Sequence, residues 1–262
     1  MADQNRRQFL RTLVGVGCFP ALSPRLAPEN IVRVPPSLML HSRHWRILPD
    51  LLSHLKALDY TGVTYHDWEQ AMAGTTALPY HPVILSVDDL SLVAGSPSFE
   101  YFERMKNNFL ESGFKAVFSI ITRPDLPQDD RRWEAVAAWT REGMELATHT
   151  AYHSNLDNAR FDAADYESEI VDSAAMIEAQ TGYAVRSLVT PFGSGYDITT
   201  GTLNPNVLQA ARAANLGFIV GISTGQRHVH VDTQAGDVIY TGRANPGDQY
   251  PVNDALYYVK HW

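Results

Sequence analysis

Cysteine is almost missing from this chain: Cys18 is the only one. No disulfide can form within the chain, and no thiolate chemistry is available beyond residue 18. Basic tracts are missing as well. Against 29 Asp and Glu stand 21 Lys and Arg, a formal net charge of −8, which argues against nucleic acid or an anionic membrane surface as partner. There is no apolar run long enough to span a bilayer, no internal repeat and no low-complexity tract. A nucleophile elbow of the G-x-S-x-G type is missing too. In Gly193-Ser194-Gly195 the outer glycines stand too close together, which argues against a serine hydrolase. What the chain does have is 262 residues, 45% of them apolar. That is enough for one large core, at a length that suits a single α/β barrel.

One stretch organises the rest: Pro82-Val83-Ile84-Leu85-Ser86-Val87-Asp88-Asp89. An apolar run of strand length ends in two adjacent carboxylates. Holding two ionised Asp beside a buried strand is costly unless something positive compensates. Strands of α/β folds open onto their ligand sites at the C-terminal end. The second half of the pattern is Thr148-His149-Thr150-Ala151-Tyr152-His153. Two histidines four apart would share one face of a helical turn and converge on one cation. One Asp and two His make a three-ligand set with open positions for water and substrate. This is the layout of a catalytic divalent metal, and it leaves the other Asp free to act as a base.

The N-terminus reads as a targeting segment. Asn5-Arg6-Arg7-Gln8-Phe9-Leu10-Arg11 resembles the twin-arginine export motif, and the weakly apolar stretch 13–22 after it is too short for a stable anchor. We therefore expect a signal segment over 1–23, a Pro-rich linker over 24–36 and one catalytic domain over 37–262. The location expected is periplasmic or extracellular, with no integral membrane span in the mature domain.

Through the domain, strand and helix alternate. Strands are predicted at 38–41, 63–65, 82–87, 115–121, 144–147, 186–189, 217–222 and 237–241. Helices are predicted at 48–58, at 67–72, from Ser96-Pro97 to 112, at 131–142, at 162–180 and from Asn204-Pro205. In the 162–180 helix, Tyr166, Ile170, Ala174 and Ile177 form the apolar face. The strands are apolar throughout rather than alternating, as in a parallel sheet covered on both faces. Eight strands favour a barrel over an open sheet.

These motifs together resemble the polysaccharide deacetylases, carbohydrate esterase family 4 with its NodB-homology domain. Ser86-Val87-Asp88-Asp89-Leu90 is similar to that family's T-F-D-D-G motif. His149-Thr150-Ala151-Tyr152-His153 matches H-[ST]-x-x-H, and Val189-Thr190-Pro191-Phe192-Gly193 is similar to its third motif. The resemblance implies an irregular (β/α) barrel and a metal-dependent hydrolase that removes N-acetyl groups from an amino-sugar polysaccharide or oligosaccharide. It implies one divalent cation, zinc first with cobalt, nickel or iron as alternatives, bound by Asp89, His149 and His153. Asp88 would then be the base that activates metal-bound water, and the backbone N–H of Phe192, after Pro191, would face the oxyanion. Val189 stands where the family has an Arg that steadies the base. The family's late strand ending in a catalytic His is also missing. Both features are similar to the branch that deacetylates poly-β-1,6-N-acetylglucosamine, which takes its acid from an N-terminal strand. Leu38-Met39-Leu40-His41 matches that strand and makes His41 the expected acid, and Arg243 fits the branch's closing residues. Leu90, in place of Gly, is expected to reshape the mouth of the groove.

Other residues admit plainer explanations. His41 could be a hydrogen-bonded strand end, and His149 and His153 a satisfied pair on a helix start. His228 and His230 could bind metal from one side of a strand, although a loop is the simpler reading. Trp133 and Trp139 suit the core better than a sugar platform. Tyr152, between the histidines, is better suited to stack on a sugar ring. The alternatives to a polysaccharide deacetylase are a related amidase or deacetylase with a non-polymeric substrate, and a non-catalytic carbohydrate-binding scaffold on the same fold.

Overall fold

Strands that are apolar on both faces must be covered on both, and the chain achieves this by curling one mainly parallel sheet on itself. The computed structural model describes residues 34–197, 199–222, 233–235, 238–246 and 251–261, with side chains outside 233–235. All of them belong to one unit, Val32–Trp262. The signal segment, Cys18, the linker up to residue 33 and the His228/His230 pair lie outside the described residues.

The strands are β1 (Ser37–His41), β2 (Thr61–Val63), β3 (Pro82–Ser91), β4 (Val117–Ile121), β5 (Glu145–Thr148) and β6 (Ser187–Val189). A small separate ribbon, β7 (Tyr196–Asp197) with β8 (Thr202–Leu203), precedes β9 (Phe218–Val220), β10 (Thr233–Ala235) and β11 (Val238–Thr241). The main sheet runs β1-β3-β4-β5-β6-β9-β11-β10, with β2 also paired to β3. Only the β10–β11 pair in it is antiparallel. Just past β11 the chain meets β1 again. Met39 N–H donates to the Ala244 carbonyl and Ala244 N–H to the Ser37 carbonyl, both at 2.9 Å. That parallel bridge joins the two ends of the curled sheet. The result is the irregular (β/α) barrel expected.

The helices are α1 (Leu48–Ala57), α2 (Tyr65–Met72), α3 (Phe99–Ser112), α4 (Asp130–Arg141), α5 (Ala163–Tyr166), α6 (Ser173–Thr181), α7 (Pro205–Ala213) and α8 (Pro251–His261). None is long and apolar enough to cross a membrane. Three differ from the sequence reading. Thr64 belongs to no strand; its hydroxyl caps α2 in a reciprocal box with Asp67. Ser96 and Pro97 precede α3, which starts at Phe99. The single helix predicted over 162–180 is α5 and α6 joined through a π-helical turn, Glu167–Asp172. Tyr166, Ile170, Ala174 and Ile177 do form its buried face, and Trp133 and Trp139 are core residues. The β7–β8 ribbon and α8 were not anticipated, since two-residue strands carry no period and 251–261 follows no clear cap.

Side-chain alternation divides the interior in two. On β3, Val83, Leu85 and Val87 face the helical layer, in a core shared with α1, α3, α4 and α6. Ile84 faces the barrel axis with Val117, Ala147, Val189, Phe218 and Val220. Trp68 and Tyr65 of α2 plug this inner core, their rings 5.1 and 5.5 Å from that of Phe218. Continuing each inward row toward the strand C-termini leads to His41, Asp88, His149 and Arg243. The apolar lower layers therefore end in a polar top layer.

Candidate active site

Asp88 and Asp89 owe their position to a break in the β3 pleat. Val87 pairs with Phe118 and Leu90 with Ile120, so two residues of β3 face the single Ser119 of β4. This is a β-bulge, and Asp89 takes a left-handed φ of 69° within it. In an unbroken strand the two carboxylates would point to opposite faces. Here Asp88 stays inward, 2% exposed, and Asp89 turns to the histidines. The bulge also shifts the phase, so that Leu90 and Leu92 join Val83, Leu85 and Val87 in the outer core. Leu90 is 0% exposed. It does not line the mouth, and the expected narrowing of the groove does not arise from it.

The histidines sit on no helical turn. After β5 the chain is irregular, with left-handed φ of 66° at Thr150 and 59° at His153. The four-residue spacing suits this tight loop as well as it would suit a helix. His149 Nε2 and His153 Nε2 lie 3.4 and 3.2 Å from Asp89 Oδ1, and one ligand atom from each of the three residues lies within 4.8 Å of the others. His149 Nδ1 is 2.7 Å from the Val189 carbonyl. Because a carbonyl only accepts, Nδ1 carries the proton and Nε2 presents its lone pair toward Asp89. Two acceptors facing each other at 3.4 Å repel unless a cation lies between them or a second proton is taken up. The donor set, one carboxylate and two imidazoles with a backbone carbonyl behind one of them, fits a divalent transition metal. Burial pushes the Asp89 carboxyl up, but once the imidazoles are protonated, hydrogen bonds from His149 and His153 and the positive charge of His149 and His41 outweigh it and hold the group far below the usual carboxylate range.

Asp88 has a different partner. Arg243 Nη1 donates to Asp88 Oδ1 at 2.7 Å and to Ser86 Oγ at 2.5 Å, and Arg243 Nε donates to the Gly221 carbonyl at 3.2 Å. Ser119 Oγ donates to the same Asp88 Oδ1 at 2.9 Å. Among the described residues both bonds fall on Oδ1 and leave Oδ2 unengaged. Burial raises the Asp88 carboxyl, yet the Arg243 guanidinium, with His149 and His41, brings it below its ordinary value. Gly221 suits this close approach, because a Cβ there would run into the Tyr240 hydroxyl and ring. His41, paired in register with Asp88, brings Nε2 to 3.7 Å from Asp89 Oδ2. Desolvation outweighs the two carboxylates and lowers its pKa, with Arg43 and Arg243 adding to the lowering.

Phe192 also has a left-handed φ, 59°, and its exposed ring packs edge-on to His153 at 4.8 Å, while Pro191 is buried. Tyr152 is 40% exposed, with the Arg123 guanidinium 5.9 Å from its ring centroid.

The model for the family described as "Polysaccharide deacetylase" matches residues 77–219. The chain belongs to the polysaccharide deacetylase family. It is 36% identical over 198 residues to a gellan lyase from a Bacillus species; that match takes in 74% of this chain, which spans only 7% of the other protein's length. The Streptococcus pyogenes deacetylase PplD, solved in complex with acetate, superposes with a TM-score of 0.64 at 16% identity, covering 86% of this chain and 97% of that one. IcaB from Ammonifex degensii gives 0.62 at 16% identity, covering 87% and 98%. At this identity the likeness is one of fold. The family model covers the strands that carry both motifs, and the described residues contain one candidate metal site, Asp89-His149-His153.

In this family member Arg243 meets the carboxylate that Val189 cannot reach. In the sequence Arg243 stands out only as a match to the branch's closing residues, and Ser119 carries no signal of its own. The available signal was a lone Arg at the end of the last apolar run, at the same height in the barrel as His41, Asp88 and His149.

Proposed function

We propose that this protein is a metal-dependent N-deacetylase of an amino-sugar polysaccharide or oligosaccharide. The observation that carries the reading is the division of labour between adjacent carboxylates, Asp88 on a buried guanidinium and Asp89 among histidines. A scaffold without catalysis has no use for two Asp held in such different surroundings.

In this mechanism Asp89, His149 and His153 would hold one divalent cation, zinc in the first instance, which would supply a Lewis acid for the attacking water and the acetyl carbonyl. Asp88 takes the proton of the attacking water on Oδ2. Arg243 and Ser119, both on Oδ1, keep that carboxylate ionised and fix its orientation. The Phe192 backbone N–H donates to the oxygen that gains charge. His41 Nε2 gives the proton to the departing amine nitrogen. Tyr152 and the Phe192 ring offer exposed aromatic faces to the sugar. The first strand as the source of the acid supports the poly-β-1,6-N-acetylglucosamine branch. Export through a twin-arginine signal is part of the same proposal.

The test is acetate release from β-1,4- and β-1,6-linked N-acetylglucosamine oligomers, using metal-stripped protein with and without added zinc or cobalt. Metal-dependent release supports the proposal, and the preferred linkage identifies the branch. No release despite stoichiometric metal would point to a different amide substrate, and no release without bound metal to the scaffold. In the same assay Asp88→Asn is expected to keep the metal and lose turnover. Retained turnover would remove Asp88 as the base.

A further inference from the structure

The ligand loop 149–153 holds two non-glycine residues in left-handed conformations, Thr150 and His153. Such conformations are strained for a non-glycine residue and persist only where the surroundings over-determine them. Nothing in the loop itself does so. The hydrogen bonds internal to it, Thr150 N–H to Thr148 Oγ1 and Ser154 N–H to Thr150 Oγ1, are both long at 3.3 Å.

On one side β4 and the residues after it hold the loop, with His149 N–H donating to the Ile120 carbonyl and Arg123 N–H to the Ala151 carbonyl, both at 2.8 Å. On the side of Tyr152 and Ser154 the restraint comes from the helix beneath. Glu169 lies in the π-helical turn between α5 and α6 and is 4% exposed. Its Oε2 accepts from Tyr152 N–H at 3.0 Å, its Oε1 accepts the Ser154 hydroxyl in a short bond, and its own carbonyl accepts Ala151 N–H at 3.0 Å. One residue thus holds three of the four loop positions from 151 to 154, on both sides of His153. One turn further on, Ser173 is 2.7 Å from Thr148 Oγ1, next to His149, and accepts Thr122 Oγ1 at 3.2 Å. A π-turn inserts an extra residue and re-aims side chains, and such turns gather at functional sites. Here Glu169 and Ile170 are both buried, as are Ser173 and Ala174, so the helix face carries a polar stripe beside its apolar one. A buried carboxylate is costly without a partner, and among the described residues no Lys, Arg or His pairs with this one. Its partners are donors of the ligand loop.

We propose that Glu169 is a positioning residue that clamps the 149–153 loop so that His149 and His153 face Asp89 preformed. This rests on the reading of that trio as the cation site.

Two readouts test it. Zinc affinity, measured by competition with a chromophoric chelator, should weaken about 10- to 100-fold in Glu169→Ala, the range typical of residues that orient ligands. Amide hydrogen exchange in the metal-free protein should quicken at Ala151 and Tyr152 while the inner-core strands keep their protection. Glu169→Gln, which retains one acceptor, should fall between wild type and Ala in both. If Glu169→Ala fails to fold, Ser154→Ala, which removes one donor without touching the helix, should give the same changes at smaller size. Wild-type zinc affinity and wild-type protection at Ala151 and Tyr152 in these variants would overturn the proposal. If wild-type protein binds no zinc, the cation reading fails by itself, and the exchange measurement on metal-free protein still decides the role of Glu169.

Discussion

At the scale of single residues, the pairing of Asp88 with Arg243 controls the chemistry. A guanidinium at 0% exposure against a carboxylate at 2% is tolerable only as a pair. Removing the cation leaves a buried charge alone, at a cost of about 3–5 kcal/mol. For Arg243→Met the sign is definite. Burial already pushes Asp88 up and Arg243 is the chief opposing influence, so without it the carboxyl rises. The acid limb of the kcat/KM profile should therefore move to higher pH, with metal still bound. An unmoved limb would show that Asp88 does not set it. The same pair affects stability. The folded-state pKa of Asp88 is depressed, so its contribution is complete above the unfolded value of 3.8 and is lost as pH falls through the lowered value. The Asp-Asp and His-x3-His pairs were legible in sequence because covalent neighbours stay neighbours. The Asp88–Arg243 contact was not, since it joins residues 155 apart in sequence with no local pattern between them.

Among the elements, β5 shows how one strand serves both ends of the barrel. Beyond its C-terminal end stands His149, and at its start Glu145 is buried, accepting Ser187 Oγ at 2.6 Å and His66 N–H at 2.9 Å. Desolvation raises its pKa above the ordinary 4.5 despite these bonds. The folded chain therefore holds that proton more tightly than the unfolded one. Stability falls as pH rises from about 4.5 through the raised value. Glu145→Gln removes this loss and keeps an acceptor for His66 N–H. Its thermal midpoint should exceed wild type at pH 7, with the gap closing below pH 4. A gap that does not depend on pH would contradict the burial argument. Most elements were predictable from apolar runs and caps, and α4 and α7 came within a residue or two of expectation. The bulge at Asp88-Asp89 and the π-turn at 167–172 were not. Each inserts one residue into a regular period, and a sequence that reads as continuous strand or helix does not reveal where its phase will slip.

For the whole molecule, the barrel brings His41, from the first strand of the sheet, and Arg243, from just beyond the last, into one layer. Ligand binding to such a preformed layer stabilises the folded state by mass action. At free zinc about 100 times its Kd the gain should be about 2.7 kcal/mol. The thermal midpoint of wild type should rise with zinc and fall with chelator, and His149→Ala should respond to neither. A zinc response that survives in His149→Ala would locate the metal elsewhere.

The sequence by itself determined the fold class, the order of strands and the two motifs that meet at the site. Those features depend on composition, on local periodicity and on residues bonded in series. Only the tertiary structure decided how a bulge turns the two carboxylates to different partners, that Leu90 turns into the core, that Arg243 answers Asp88, and that Glu169 holds the ligand loop. Each of these depends on the phase of a strand or helix after a one-residue insertion, or on a contact across the closed barrel. Such contacts are chosen by packing and by the cost of leaving a buried charge unpaired, quantities that exist only once the chain has closed.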